Sequence, residues 1–125
     1  MKNNIEITIA TGNAAFDGDK TIEFARIIKK LAQSIENGNL PARLLDLNGN
    51  KVGEVVVDGE KQIERFDSDS IYIEINTSNA AFEEAGTDYE VSRILNELAE
   101  DSANGSIPSS LRDINGHKVG IVTEN

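Results

Sequence analysis

One histidine, no cysteine and 22 carboxylates make up the reactive side chains of this 125-residue chain. His117 has no cysteine or serine spaced to act with it as a nucleophile, and no glycine-rich phosphate loop is present. It follows an Asn-Gly pair and reads as an exposed turn residue. Asp46-Leu-Asn-Gly-Asn50 has the flavour of a calcium loop, but the glycine is fourth where an EF-hand needs it sixth, and no glutamate stands twelfth. The expectation is a protein without catalytic residues, metal or cofactor, and therefore not an enzyme.

The elements that carry these residues are written twice. Residues 5–57 return as 71–123, at an offset of 66 that becomes 67 after one insertion, with 24 identical positions in fixed order. Asn13-Ala-Ala-Phe16 returns as Asn79-Ala-Ala-Phe82. Leu44, Asp46, Asn48, Gly49, Lys51, Val52, Gly53 and Val55 return as Leu111, Asp113, Asn115, Gly116, Lys118, Val119, Gly120 and Val122. Such self-similarity marks a duplicated supersecondary unit.

Each unit opens on strict alternation, Ile5-Glu-Ile-Thr-Ile9 and Ile71-Tyr-Ile-Glu-Ile75, which predicts a strand with one buried face. Phe24, Ile27, Ile28, Leu31 and Ile35, then Val91, Ile94, Leu95 and Leu98, recur at helical spacing. Thr87-Asp-Tyr-Glu90 has the form of a capping box, and Gly38 and Gly105 stand where the helices should stop. The Asn-Gly pairs predict hairpins with two-residue type I′ turns, setting Asp46 against Lys51, Leu44 against Gly53 and Ala42 against Val55, with the glycine leaving room for the helix. Asn13 and Asn79 read as Asx turns, with Phe16 and Phe82 plugging the core.

The expected fold is α+β: two tandem β-α-β-β repeats, about 5–57 and 71–123, with antiparallel hairpins, one helix per repeat and pseudo-two-fold symmetry. A unit of about 55 residues buries too little surface to stand comfortably alone, so one domain spanning 1–125 is expected. In the connector 58–70, Asp58-Gly59 could turn the chain into an extra strand, and Asp67-Ser-Asp-Ser70 reads as a loop.

The net charge of −10 is unevenly held. Residues 1–57 balance to zero, 58–70 carry −3 and 71–125 carry −7. That sign repels nucleic-acid phosphates and attracts basic surfaces, so the expected partner is a basic protein, with no direct nucleic-acid binding. The alternative is that acidity only keeps a small protein soluble. The helix faces show the divergence: Lys29, Lys30, Gln33 and Ser34 become Asn96, Glu97, Glu100 and Asp101, while Glu23 and Arg26 persist as Glu90 and Arg93 on what reads as the outer face. Glu83, Glu84, Glu97, Glu100 and Asp101 are therefore the candidate partner-binding residues. The alternative function is a structural or assembly protein acting as a homo-oligomer, formed through an exposed hairpin edge or the outer faces of the helices. No apolar run is long enough to span a membrane, and a cytoplasmic protein is expected.

Asn13-Ala-Ala-Phe16, Ala25-Arg-Ile-Ile-Lys-Lys-Leu-Ala32 and Leu45-Asp-Leu-Asn-Gly-Asn-Lys-Val-Gly53 together resemble a family of small, mostly uncharacterised proteins of bacteriophages and mobile elements, which usually carry one such unit. The resemblance covers nearly the whole chain and implies a phage or prophage setting; it supplies no catalytic or binding residues. A negative surface in that setting suggests an inhibitor of a host defence or DNA-processing protein. The tandem form, and Ser92-Arg93 in place of Ala-Arg, depart from the usual pattern.

Overall fold

A computed structural model describes residues 4–41, 43–59 and 69–125. The alternating isoleucines form β1 (Asn4–Ala10) and β4 (Ser70–Asn76), which pair antiparallel at the centre of the sheet with Ile5 opposite Ile75, Ile7 opposite Ile73 and Ile9 opposite Ile71. All six isoleucines are buried. Outside them lie β3 (Lys51–Val57) with β2 (Arg43–Leu45), and β6 (Lys118–Glu124) with β5 (Ser110–Arg112). Among the described residues the sheet is six-stranded and antiparallel in the order β2-β3-β1-β4-β6-β5, so each half of the sequence supplies three adjacent strands and the two halves meet at β1 and β4.

The helices α1 (Lys20–Glu36) and α3 (Thr87–Ala103) pack against each other. Their apolar stripes share one core with the isoleucine face of the sheet. Ala32 and Ser92 let the two backbones approach, and the Ser92 hydroxyl donates to the Ala32 carbonyl at 3.0 Å. Gly38 and Gly105 adopt left-handed φ values of 84° and 94° just past the helix ends, as the sequence predicts. No helix among the described residues is long and apolar enough to cross a membrane.

Several local expectations change. The second half has two helices, because Ala80–Ala85 forms α2 where the first half makes only a 3-10 turn, Ala14–Phe16. Glu83, Glu84 and Ala85 are strong helix formers, whereas Asp17-Gly18 stops the shorter turn. Thr87 is the first residue of α3, not its cap. Gly86, at φ 91°, caps without a side-chain bond, and the Glu90 carboxylate is engaged elsewhere.

The hairpins are not type I′. Gly49 N–H donates to the Asp46 carbonyl at 3.1 Å, and of the Asn48-Gly49 pair only Gly49 has positive φ; the register shifts between Leu44 and Leu45, so Leu45 stands opposite Lys51. The second hairpin repeats this with Gly116 and Arg112 opposite Lys118. Asp46 is thus not an exposed partner of Lys51; it is buried. Ser70 belongs to β4 and not to a loop. Asp58 and Gly59 both take positive φ, but Ala42 and the proposed extra strand fall outside the described residues.

Leu44 does face Gly53, and Leu111 faces Gly120. The reason is the neighbouring strand and not the helix: a Cβ on Gly53 would collide with the Thr8 carbonyl, and one on Gly120 would stand 2.5 Å from the Glu74 carbonyl. Backbone gives way far less readily than a side-chain end. Gly53→Ala and Gly120→Ala should each cost about 1–3 kcal/mol, the range for overpacking, read as a fall of several degrees in Tm by circular dichroism.

Candidate functional site

Four polar residues identical between the halves, Asn13, Glu23, Arg26 and Asp46, with their counterparts Asn79, Glu90, Arg93 and Asp113, form two matching clamps. In the first, Glu23 in the opening turn of α1 is 6% exposed. Its carboxylate accepts from Arg26 Nε at 2.8 Å, Arg26 Nη2 at 3.0 Å and the Leu47 N–H at 2.8 Å, while Arg26 Nη2 also reaches the Leu45 carbonyl at 3.3 Å. Asp46 accepts from Asn13 Nδ2 at 2.7 Å and from the N–H groups of Asn48 and Asn50 at 2.8 and 2.9 Å. Asn13 Oδ1 in turn holds the Ala15 N–H, the expected Asx turn.

The second clamp repeats every part. Glu90, wholly buried, accepts from Arg93 at 2.9 and 3.0 Å and from the Ile114 N–H at 2.9 Å; Arg93 reaches the Arg112 carbonyl. Asp113 accepts from Asn79 Nδ2 at 2.6 Å and from the N–H groups of Asn115 and His117. Glu23 and Glu90 therefore do not lie on an outer face. They tie the start of each helix to the tip of each hairpin.

This geometry sets the charge states. Arg26 holds the Glu23 carboxyl below its ordinary value, against burial, with help from the Leu47 amide. Burial pushes Asp46 and Asp113 up, but the hydrogen bonds outweigh it: Asn50, Asn13 and Asn48 hold Asp46 low, and His117, Asn79 and Asn115 hold Asp113 low. The paired carboxylates raise Arg26 and Arg93. Every oxygen of these four carboxylates accepts at least one N–H, so the clamps account for them structurally. Among the described residues no three acidic or histidine side chains converge in a way that could hold a metal ion. His117 is an exposed turn residue whose backbone serves the clamp.

Beside each clamp, a groove runs between the helix and its edge strand. The first, about 140 Å³, has a floor of Ile27, Leu31, Pro41 and Leu44 and is rimmed by Lys30, Ser34 and Arg43. The second, about 110 Å³, has Ile94, Leu98, Pro108 and Leu111 at its floor, the equivalent positions, and Glu97, Asp101, Ser110 and Arg112 at its rim, where Arg112 also donates to the Gly116 carbonyl at 3.0 Å. The floor stays apolar while the rim goes from basic to net acidic, with Arg112 its one cation in the place of Leu45.

Of the predicted partner-binding residues, all five are exposed. Glu97 and Asp101 share the second groove. Glu97 and Glu100 border a shallow hollow of about 300 Å³ with Tyr89 and Asn96, and Glu97 is partly neutralised by Arg93 Nη1 at 3.0 Å. Glu83 and Glu84 stand apart on α2 and line neither. The grooves themselves escape sequence reasoning, although the retained Pro41 and Pro108 beside a changed Lys30 and Glu97 were a signal. No family model, curated protein or solved structure matches the chain.

Two outcomes follow from the clamps. Arg93→Ala leaves Glu90 buried without its guanidinium and should cost about 3–5 kcal/mol, measured by urea unfolding. Because Asp46, Asp113 and Glu23 titrate lower in the folded chain than their ordinary 3.8, 3.8 and 4.5, the unfolded state binds more protons through that window. Their stabilisation is complete above those values and is lost as pH falls through the lower folded ones. Asp46→Asn sets two amide donors face to face with Asn13; it should melt lower at neutral pH and show a flatter fall in Tm through the acid range than the parent chain.

Proposed function

We infer that this is a non-enzymatic interaction protein of a phage or mobile element, working in the cytoplasm, whose acidic second half engages a basic protein. The observation that carries this reading is the second groove, which keeps the apolar floor of the first under a rim where the carboxylates of Glu97 and Asp101 outnumber the one cation, Arg112. An apolar floor with carboxylates above it suits a lysine or arginine side chain, whose stem is aliphatic and whose head is charged. Glu83, Glu84 and Glu100 add rim charge, which acts chiefly on association rate. A surface of this sign competes for a protein site that normally receives nucleic acid, which favours an inhibitor of a host defence or DNA-processing protein.

The same reading takes the chain as one domain of two repeats, each a strand, a long helix and a hairpin, the second with the added short helix α2, related by a pseudo-two-fold axis. Its support is the sheet order, in which each half contributes a three-strand block, and the pairing of Ile7 with its own equivalent, Ile73. Duplication then leaves one unit free to change its rim.

The test is charge reversal. Glu97→Lys, Glu100→Lys and Asp101→Lys together should abolish salt-sensitive capture of a basic partner from host lysate while shifting Tm little, because these side chains lie outside the core. Capture that survives the triple change, or that reversing Lys29 and Lys30 to Glu weakens equally, would overturn the assignment to the second half.

A further inference from the structure

We propose that molecules of this chain join head to tail, the groove beside β5 of one molecule seated against the groove beside β2 of the next. Both faces of this junction are on the same chain and their charges are complementary. Lys30 and Arg43 rim the first groove, and Glu97 and Asp101, with the single cation Arg112, rim the second. Lys30, Arg43 and Asp101 carry no side-chain ion pair or hydrogen bond among the described residues, so these charges are available to a neighbour. A symmetric contact is disfavoured, since groove one against groove one sets Lys30 and Arg43 against themselves, and groove two against groove two offers one arginine per copy, Arg112, already bonded to the Gly116 carbonyl, against two carboxylates per copy. The heterologous contact sets the wholly basic rim against the one that carries the surplus of carboxylates.

Strand direction agrees. From the antiparallel pairings, β2 and β5 run in opposite senses at the two edges of the sheet. A translated second molecule therefore sets its β2 antiparallel to β5 of the first, helices on the same side, with the two grooves facing each other. Main-chain pairing across this edge is blunted: each edge strand has three residues and a register shift, and Arg26 and Arg93 occupy the carbonyls of Leu45 and Arg112. The junction thus rests on side chains, with exposed Leu45 available to the opposing apolar floor. Such a contact does not close on itself, and so produces short, concentration-dependent chains of molecules, not a dimer.

This goes beyond the reading of a basic foreign partner, although both use the second groove and exclude each other there. It is measured on the purified chain alone, so either can fail without the other. The experiment is light scattering from micromolar to millimolar concentration near physiological salt. There, repulsion between whole molecules of charge −10 is screened over about 8 Å while contact pairs are screened less. The apparent mass of the parent chain should rise past twice the monomer without a plateau. Lys30→Glu with Arg43→Glu, and separately Glu97→Lys with Asp101→Lys, should each remain monomeric, and an equal mixture of the two should regain the parent curve. If reversing Glu97 disturbs its bond to Arg93, the single changes Lys30→Glu and Asp101→Lys give the same readout. A parent chain monomeric throughout overturns the proposal. So do variants that associate as the parent does, or folded variants whose mixture fails to recover.

Discussion

Glu23 and Glu90 join segments that lie far apart along the chain. Each carboxylate takes a guanidinium three residues on and a backbone N–H 24 residues on, at the hairpin tip. A buried carboxylate is costly unless fully satisfied, and a buried ion pair by itself is poor evidence of net stability. What this pair fixes is position. With the hairpin tip held to the first turn of the helix, the edge strand can lie in only one place relative to that helix. The groove between them then has a fixed width and floor. Asp46 and Asp113 extend the constraint to the turn after the first strand, through Asn13 and Asn79.

Much of this frame was legible. The alternating isoleucines, the helical stripes, Gly38 and Gly105, and the Asx turns all depend on local sequence, and local signals are what a single chain exposes. The failures share a cause as well. Glu23 sits at a polar position beside Arg26, and nothing within one turn of helix says that Leu47 will come to cover it. Asp46 sits next to an Asn-Gly pair and invites pairing with Lys51, yet the partner that decides its place is Asn13, 33 residues away. The glycine opposite Leu44 was correctly placed for the wrong reason, because the close approach comes from the strand on its other side. The repeat held the missing information: Asn13, Glu23, Arg26 and Asp46 stayed the same while polar neighbours on the same helix, such as Lys29 and Lys30, did not.

That contrast separates two kinds of polar residue. Those in the clamps cannot change without leaving a buried group unsatisfied, so their identity is explained by folding and says nothing about a partner. Those at the groove rims make few bonds within the molecule and can change sign at little cost to the fold. The grooves combine both kinds, an apolar floor set by packing and a rim free to vary. This is why the informative comparison is between the halves and not between either half and an average surface.

The distribution of the surplus acid bears on whether it serves more than solubility. Repulsion among like charges keeps molecules apart wherever the charges sit, and it costs the compact state least when they are spread out. Here residues 1–57 are neutral and 71–125 carry −7. Glu90 and Asp113 account for two of the second half's carboxylates, but Glu23 and Asp46 do the same work in the first, so the clamps do not create the imbalance. It comes from rim and helix-face positions such as Glu97, Glu100 and Asp101, which replace Lys30, Gln33 and Ser34. Concentrating charge there gives the molecule a neutral end with exposed lysines and an acidic end, each beside a similarly shaped groove. Solubility alone does not require that polarity, because it depends on the total charge more than on where the charge sits.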